Sequence, residues 1–164
     1  MLVFRRIEEY MDSKSDIIFY DRFYNWEIAA GSYLVKNTTW SQGFLHGFGE
    51  YESQLPDSFT GTDNGALHAY VAQAVLPSNH SGLEICMEIY KKSKGFGDLF
   101  LYEGCIRDIL QDRLHLGKIK ILRKATAWVR DNWLTNSLWN EERDFLIHGW
   151  KKNQLRKYDK TPIP

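Results

Sequence analysis

Two neighbouring polar residues, Asp63 and Asn64, are the clearest candidates for chemistry in this sequence. They lie in the run Gly-Thr-Asp-Asn-Gly-Ala-Leu-His over residues 61–68, where a turn gives way to a helical pattern. The apolar side chains that follow recur at helical spacing: Leu67, Tyr70, Val71, Ala74 and Val75. An acid and an amide in the first turn of a helix can hold a ligand with hydroxyl groups or stabilise a developing charge. The alternative is that Thr62 or Asp63 only caps the helix.

A histidine near the end of the chain is the second candidate. His148 closes a short apolar run and precedes Gly149-Trp150-Lys151. Glycine leaves open space beside the imidazole, and neutral imidazole is a common metal ligand. Lys151 could meet a phosphate as a point charge. The alternative is a partly buried histidine bonded to a backbone carbonyl.

Small residues interrupt a run that predicts a strand from Ile28 to Val35. Gly31 lets a ligand approach the backbone there, and Ser32 could present its hydroxyl. A bulge or tight packing would explain the same residues without any ligand.

Arg130 lies in the segment 126–136, which is rich in Trp, Arg, Asp and Asn and has no clean period. We interpret this segment as an ordered loop over a site. The guanidinium could pair with a diphosphate, which it can bind in a bidentate way. It could equally pair with Asp131 or Asp144 on the surface.

The elements that must position these residues alternate along the chain. Strands are predicted at 16–20, 28–35 and 118–122, a helix or arm at 4–14, and helices at 40–52, from Asp63 to Pro77, and at 83–93 and 97–112. This alternation predicts an α/β layer fold. No composition shift marks a boundary, so we expect a single domain over 1–155 and a charged tail over 156–164.

The composition limits the classes of function. The chain has 164 residues, with 21 Lys plus Arg and 21 Asp plus Glu, so its formal net charge is zero. A general nucleic-acid binder would show a basic excess. No apolar run of about 18 residues occurs, so no membrane span is predicted. The 15% of aromatic residues suits a large core or a site that stacks on sugar rings.

Two cysteines and two glycosylation patterns complete the inventory. Cys86 and Cys105 fall on successive predicted helices and could be buried thiols or, in an oxidising compartment, a disulfide. Asn37-Thr38-Thr39 and Asn79-His80-Ser81 both match the acceptor pattern for N-glycosylation.

Taken in chain order, three segments resemble the galactosyl/xylosyl/mannosyltransferase family of yeast α-mannosyltransferases and plant xyloglucan xylosyltransferases. These segments are Gly31–Trp40, Thr62–Ala66 and His148–Trp150. That family has a Gly-Ser-aromatic-Leu-Leu-basic-Asn strand leading to a Trp, then an Asp-Gln-Ser-Ala helix start, then a His-Gly-aromatic segment. The chain is more similar still, over about residues 5–155, to a nematode-expanded family with a predicted glycosyltransferase fold. That family shares the runs Asp21–Ser32 and Gly61–His68.

The resemblance implies the C-terminal portion of a GT-A nucleotide-diphospho-sugar transferase fold, three layers α/β/α with an incomplete sheet. It implies a glycosyltransferase of the Golgi lumen, anchored as a type II membrane protein in a full-length form. Such an enzyme would move a hexose or pentose from a nucleotide-sugar donor to a glycan acceptor with retention of configuration, using Mn²⁺.

The resemblance also assigns roles to individual residues. Asp63 and Asn64 match the pair near the reacting carbon, and His148 matches a metal ligand. Lys151, or its neighbour Lys152, would meet the donor phosphates. The remaining candidates for donor binding are Gly31, Ser32 and Arg130.

The chain departs from the wider family in one respect that bears on activity. The family binds its metal through an Asp-x-Asp motif, and no Asp-x-Asp occurs here. In the family this motif precedes the segment that resembles 5–10, so we expect the chain to begin after it and to lack the first nucleotide-binding strands. Two hypotheses follow: a glycosyltransferase-family domain, or a truncated non-catalytic remnant that binds carbohydrate or protein.

Overall fold

A four-stranded mixed sheet and four α-helices make up most of the computed structural model, which describes residues 6–22, 25–111, 115–131 and 145–148. The helices are α1 (Thr39–Glu50), α2 (Asp63–Val75), α3 (Ser81–Lys91) and α4 (Phe96–Ile109). The strands are β1 (Ile17–Tyr20), β2 (Leu34–Val35), β3 (His115–Leu116), β4 (Ile119–Leu122), β5 (Val129–Asp131) and β6 (Leu146–His148). For Asp131, Ile147 and His148 the description is limited to the backbone. The coarse expectation of an α/β fold is confirmed.

The sheet is built around a parallel pair. Its order is β2-β1-β4-β3, and β1 runs parallel to β4 with Tyr20 opposite Leu122. The outer strands β2 and β3 are antiparallel to their neighbours. A separate parallel pair, β5 with β6, follows later in the chain. The carboxyl ends of β1 and β4 therefore meet at one edge, which is where α/β proteins commonly bind ligands.

Strand β1 is buried on both faces, as its continuous apolar run predicts. Ile17 and Phe19 belong to a core that includes residues from all four helices. Ile18 and Tyr20 belong to a second, smaller core around Trp128. The alternation of side chains along the strand thus joins two layers of different composition.

A disulfide fixes two of the helices to each other. Cys86 in α3 and Cys105 in α4 are bonded, with their Cα atoms 5.6 Å apart. The expectation of two buried thiols is therefore wrong, and the alternative of a bridge is confirmed. Helices α3 and α4 follow each other in the sequence, so the bond reinforces the packing of two neighbouring elements.

Two predicted elements differ from the structure. The strand expected over 28–35 is reduced to Leu34–Val35, with Ile28 in an isolated bridge to Asp21. Between them the N–H of Ala30 leaves the strand pattern and donates to the side chain of Asn64. The segment 126–136 contains β5 rather than loop alone. The short helix or arm predicted over 4–14 agrees with a 3₁₀ helix at Ile7–Tyr10.

None of the helices in the described ranges combines the length and apolar character needed to cross a bilayer.

Candidate functional site

Two glycines shape the start of α2, on either side of Asp63 and Asn64. Gly61 has a φ of +65°, and a Cβ there would lie 2.1 Å from a methyl carbon of Leu99. A Cβ on Gly65 would lie 2.1 Å from the backbone oxygen of Thr60, which cannot move aside easily. Only glycine fits either position. The two glycines of this run are therefore required by the packing of the loop against α2 and α4.

A stacked pair of tyrosines supports the same junction from below. The rings of Tyr90 in α3 and Tyr102 in α4 lie 4.1 Å apart and almost parallel. The Tyr90 hydroxyl donates to the carbonyl of Thr60 at 3.1 Å, and the Tyr102 hydroxyl donates to the carbonyl of Gly65 at 3.0 Å. Burial raises the pKa of both hydroxyls, so both remain protonated donors. Two carbonyls of the turn are thus held by rigid aromatic side chains.

Thr62 occupies the cap position of α2 but does not cap it. Its hydroxyl accepts no hydrogen bond from a backbone N–H of the helix. The hydroxyl oxygen lies instead 2.7 Å from the carbonyl oxygen of Gly61 and 2.9 Å from Oδ1 of Asp63. Its backbone has a φ of +61° and a ψ of −132°, a region that β-branched residues rarely adopt. The interpretation of Thr62 as a side-chain cap is therefore wrong. Backbone strain of this kind costs about 1–3 kcal/mol and concentrates at functional sites.

Asn64 joins the start of α2 to the segment that carries Gly31 and Ser32. Its Oδ1 accepts a hydrogen bond from the backbone N–H of Ala30 at 3.2 Å. Ala30 lies beside the end of β1, because its neighbour Ala29 bonds to Tyr20. Gly31 is exposed, with open space where a side chain would stand. Asp63 is also exposed and directly precedes Asn64, so the hydrogen bond places the segment with Gly31 beside the start of α2.

His68 fixes the two segments to each other one turn further into α2. The side chain is fully buried. Its Nε2 accepts from the N–H of Ile28 at 3.0 Å, and its Nδ1 lies 2.8 Å from the carbonyl of Asn64. These partners require a neutral ring with the proton on Nδ1, and burial lowers the pKa of His68 to about 4. His68 is therefore a neutral structural bridge beneath the exposed pair.

Ser32 is contacted from the opposite side by an aromatic residue. The indole N–H of Trp128 donates to its Oγ at 3.0 Å. Trp128 is itself held edge-on by Tyr10 and Tyr20, at 5.5 and 5.2 Å between ring centres. The contact brings the start of the segment 126–136 against the chain at Ser32.

The remaining candidate residues are less engaged with this surface. The guanidinium of Arg130 is buried and donates through Nη1 to the carbonyls of Ala127 and Val129. His148 pairs with Asp131 in the register of β5 and β6, and its side chain lies outside the described residues. Lys151 and its neighbour Lys152 also lie outside them. The described part of the chain therefore brings together the two segments that carry Gly31 and Ser32 on one side and Asp63 and Asn64 on the other.

A buried acidic group lies behind the same segment and was missed by the sequence reasoning. Asn25 donates through Nδ2 to Oε2 of Glu27 and to Oε2 of Glu103, each at 3.3 Å. Glu103, in α4, is fully buried, and its Oε1 has no partner within the described ranges. Burial, with the charge of Glu27 adding to it, raises the pKa of Glu103 to about 8. The sequence did offer one signal of this group, because Glu103 lies among the apolar residues of the helix predicted over 97–112.

Two ion pairs accompany this group. Arg22 pairs with Glu27 at 2.7 Å, and Arg107 of α4 pairs with Asp21 at 3.0 Å. Both pairs are almost completely buried, so each charge depends on its partner. The Arg107–Asp21 pair fastens the chain that leaves β1 to α4, and the Arg22–Glu27 pair lies within that chain segment.

The metal expected from the resemblance finds no prepared site in the described residues. No group of three or more His, Cys, Asp or Glu side chains in those ranges could hold a metal ion. The pairing of Asp131 with His148 places two ligand-forming residue types side by side along the backbone.

The site thus lies at the carboxyl edge of the parallel strands in a mixed α/β domain. The chain belongs to the DUF273 family, described as proteins of unknown function, whose model matches residues 2–164. Neither curated proteins nor solved structures gave a significant match. The function has to be argued from the residues themselves.

Proposed function

We propose that this chain is a glycosyltransferase-family domain that binds a nucleotide sugar and transfers its hexose or pentose to a glycan, with retention of configuration. The hydrogen bond from Ala30 N–H to Asn64 Oδ1 carries the proposal. It joins two segments 34 positions apart in sequence, the same two that resemble the transferase family. The finer assignment of the α/β fold to the GT-A class belongs to this proposal.

The exposed carboxylate of Asp63 would receive hydrogen bonds from the hydroxyls of the sugar. Asn64 is half-buried and already bonded through Oδ1, so it would hold the backbone of Ala30 in place while its Nδ2 faces the ligand. Gly31 would let the sugar lie against the backbone because no side chain blocks it. Fixed donors and acceptors of this kind orient a substrate without reorganising.

Mn²⁺ remains part of the proposal through the resemblance. His148 would contribute a ligand, and Asp131 is its neighbour across the β5–β6 pair. A bound divalent cation would neutralise charge on the leaving diphosphate. Lys151 would add a positive charge beside the same phosphates, and Arg130 is a further candidate for them. Nothing else in the proposal depends on the cation.

A lumenal location fits the proposal. The disulfide between α3 and α4 is of a kind that persists in oxidising compartments and is rare in the cytosol. Residence in the Golgi lumen would supply both the nucleotide sugars and the glycan acceptors that the reaction needs.

Isothermal titration calorimetry with UDP- and GDP-linked hexoses and pentoses, with Mn²⁺ and with EDTA, tests the proposal. We expect one of these donors to bind, and Asp63→Asn to weaken its binding by tenfold or more. Asp63 is exposed, so this substitution should leave the melting temperature unchanged. Asp57→Asn is a matched control, since Asp57 is also exposed but lies outside the site. Equal losses in the two variants, or no binding of any donor, would refute the proposal.

A second measurement separates transfer from binding alone. Hydrolysis or transfer of the bound donor, followed by release of the nucleoside diphosphate, is expected only of a transferase. Donor or free glycan binding without release would instead favour a carbohydrate-binding role.

A further inference from the structure

The connection between α2 and α3 carries an acceptor sequence for N-linked glycans. Residues 77–80 form a turn, closed by the N–H of His80 donating to the carbonyl of Pro77 at 3.0 Å. The sequence Asn79-His80-Ser81 spans this turn and the first residue of α3. It satisfies the Asn-x-Ser/Thr pattern that directs glycosylation of surface loops.

Both reactive side chains of this sequence face solvent. Asn79 and Ser81 are exposed, and neither side chain has a hydrogen-bond partner within the described ranges. Only the middle residue is engaged, because Nδ1 of His80 accepts from the N–H of Leu83 and so caps α3. A glycan on Asn79 would therefore break no bond of the folded protein.

The other acceptor sequence is built into the fold. Oδ1 of Asn37 accepts from Gln42 at 2.7 Å. The hydroxyl of Thr38 lies 3.0 Å from Oδ2 of Asp16 and accepts from the N–H of Ser41, which caps α1. Thr39, which supplies the hydroxyl of this pattern, is exposed like Ser81, so the two sequences differ in the hydrogen bond that Asn37 makes and Asn79 lacks.

The position of Asn79 keeps a glycan away from the surface around Asp63. Helix α2 has 13 residues, so its ends are about 18 Å apart. Asp63 is its first residue, and Asn79 follows its last turn. A bulky substituent at that end leaves the candidate site open, so the two can coexist.

The disulfide provides an independent reason to expect the necessary compartment. The bond joins α3, which begins two residues after Asn79, to α4. Compartments that form disulfides are also those in which N-glycans are attached.

We propose that Asn79 carries an N-linked glycan. The Nδ2 of Asn79 attacks C1 of an oligosaccharide carried on a lipid pyrophosphate. A C–N bond forms, the bond between C1 and the pyrophosphate oxygen breaks, the amide loses one proton, and the lipid pyrophosphate departs. The modification depends on export of the chain and is independent of whether the protein transfers sugars.

Secretion of the chain from a eukaryotic host, followed by peptide mass spectrometry with and without an amidase that removes N-glycans, tests this proposal. We expect the peptide with Asn79 to carry a glycan, and the amidase to convert Asn79 to aspartate. Asn79→Gln and Ser81→Ala should each remove this glycan, whereas Asn37→Gln should leave it in place. Ser81→Ala keeps Asn79 itself, so it separates the acceptor pattern from the amide.

Alkylation of free thiols verifies that each secreted variant has formed its disulfide and is folded. A folded, secreted parent protein with an unmodified Asn79, or with a glycan on Asn37 alone, would overturn the proposal.

Discussion

Two polar regions include residues of the segment between Asn25 and Ser32, and they differ in how their side chains are satisfied. The inner region consists of Asn25, Glu27 and Glu103 with the neighbouring ion pairs, and it is buried. The outer region consists of Gly31, Ser32, Asp63 and Asn64, which are exposed or half-buried.

The comparison shows which polar groups are available to a ligand. In the inner region, carboxylates meet cations and amides inside the protein, and removing one partner leaves a buried charge. In the outer region, Asp63 bonds only to the hydroxyl of Thr62 among the described residues. We therefore expect inner substitutions to change stability, and outer ones to change binding.

The largest effect is expected from breaking an inner ion pair. Arg107→Met should lower the free energy of unfolding by about 3–5 kcal/mol, because it removes the guanidinium that lies 3.0 Å from the buried Asp21. Urea denaturation measures the change. Lys91→Met, which breaks an exposed pair with Glu88, should leave the urea midpoint unchanged. Similar midpoints for the two variants would erase the distinction between buried and exposed pairs.

The next effect tests the support beneath the outer region. Gly65→Ala should cost about 2–3 kcal/mol, because the new methyl group would collide with the backbone of Thr60. Gly49→Ala is the control: Gly49 lies in α1 with open space around it, and alanine there should be neutral or stabilising. Thermal unfolding compares them. A tolerated Gly65→Ala would show that the turn can relax.

The inner region should also give stability a pH dependence. The folded pKa of Glu103 is about 8, above the ordinary value of 4.5, so the folded protein retains a proton that the unfolded chain has released. This contribution is complete below pH 4.5 and is lost as the pH rises through 8. Glu103→Gln removes the titration, so at pH 8 it should stabilise the protein by on the order of 2 kcal/mol. Melting curves at pH 5 and pH 8 test this, and equal slopes for parent and variant would contradict it.

A smaller stabilising effect is expected at Thr62. Thr62→Gly relieves the strained backbone at a φ of +61° and should stabilise the protein by about 1 kcal/mol. It should also weaken donor binding, since the more flexible turn no longer fixes Asp63. Thermal melting and calorimetry on one preparation measure both. A variant that is stabilised and binds as well as the parent would show that the strain has no part in recognition.

Much of the fold could be predicted from local patterns. The spacing of apolar residues located α1 to α4 to within a few residues, and the run at Ile17–Tyr20 indicated a buried strand. The predicted strand from Ile28 was mostly wrong. Its apolar and β-branched residues favour a strand, but Asn64 takes the N–H of Ala30, a partner far away in the sequence.

The residues of the candidate site were chosen from the sequence and stay a prediction, whereas the residues that support them were not foreseen. Asp63, Asn64, Gly31 and Ser32 were chosen from the sequence, and the structure brings their segments together. The bridging role of His68 and the buried Glu103 could not be predicted, because both depend on which helix faces the segment after β1. That pairing of faces is decided by tertiary packing and leaves no periodic signal.

The parallel pairing of β1 with β4 has a consequence for how the chain folds. Ile17 lies opposite Ile119, so the pair closes a loop of about 100 residues that contains all four helices. The helices can form from local contacts, but the sheet at the centre of the core cannot. During synthesis, β1 therefore cannot pair with β4 until most of the chain has been made. The transition state for folding should be governed by this late closure, and substitutions in β4 should slow refolding more than equivalent substitutions in α3.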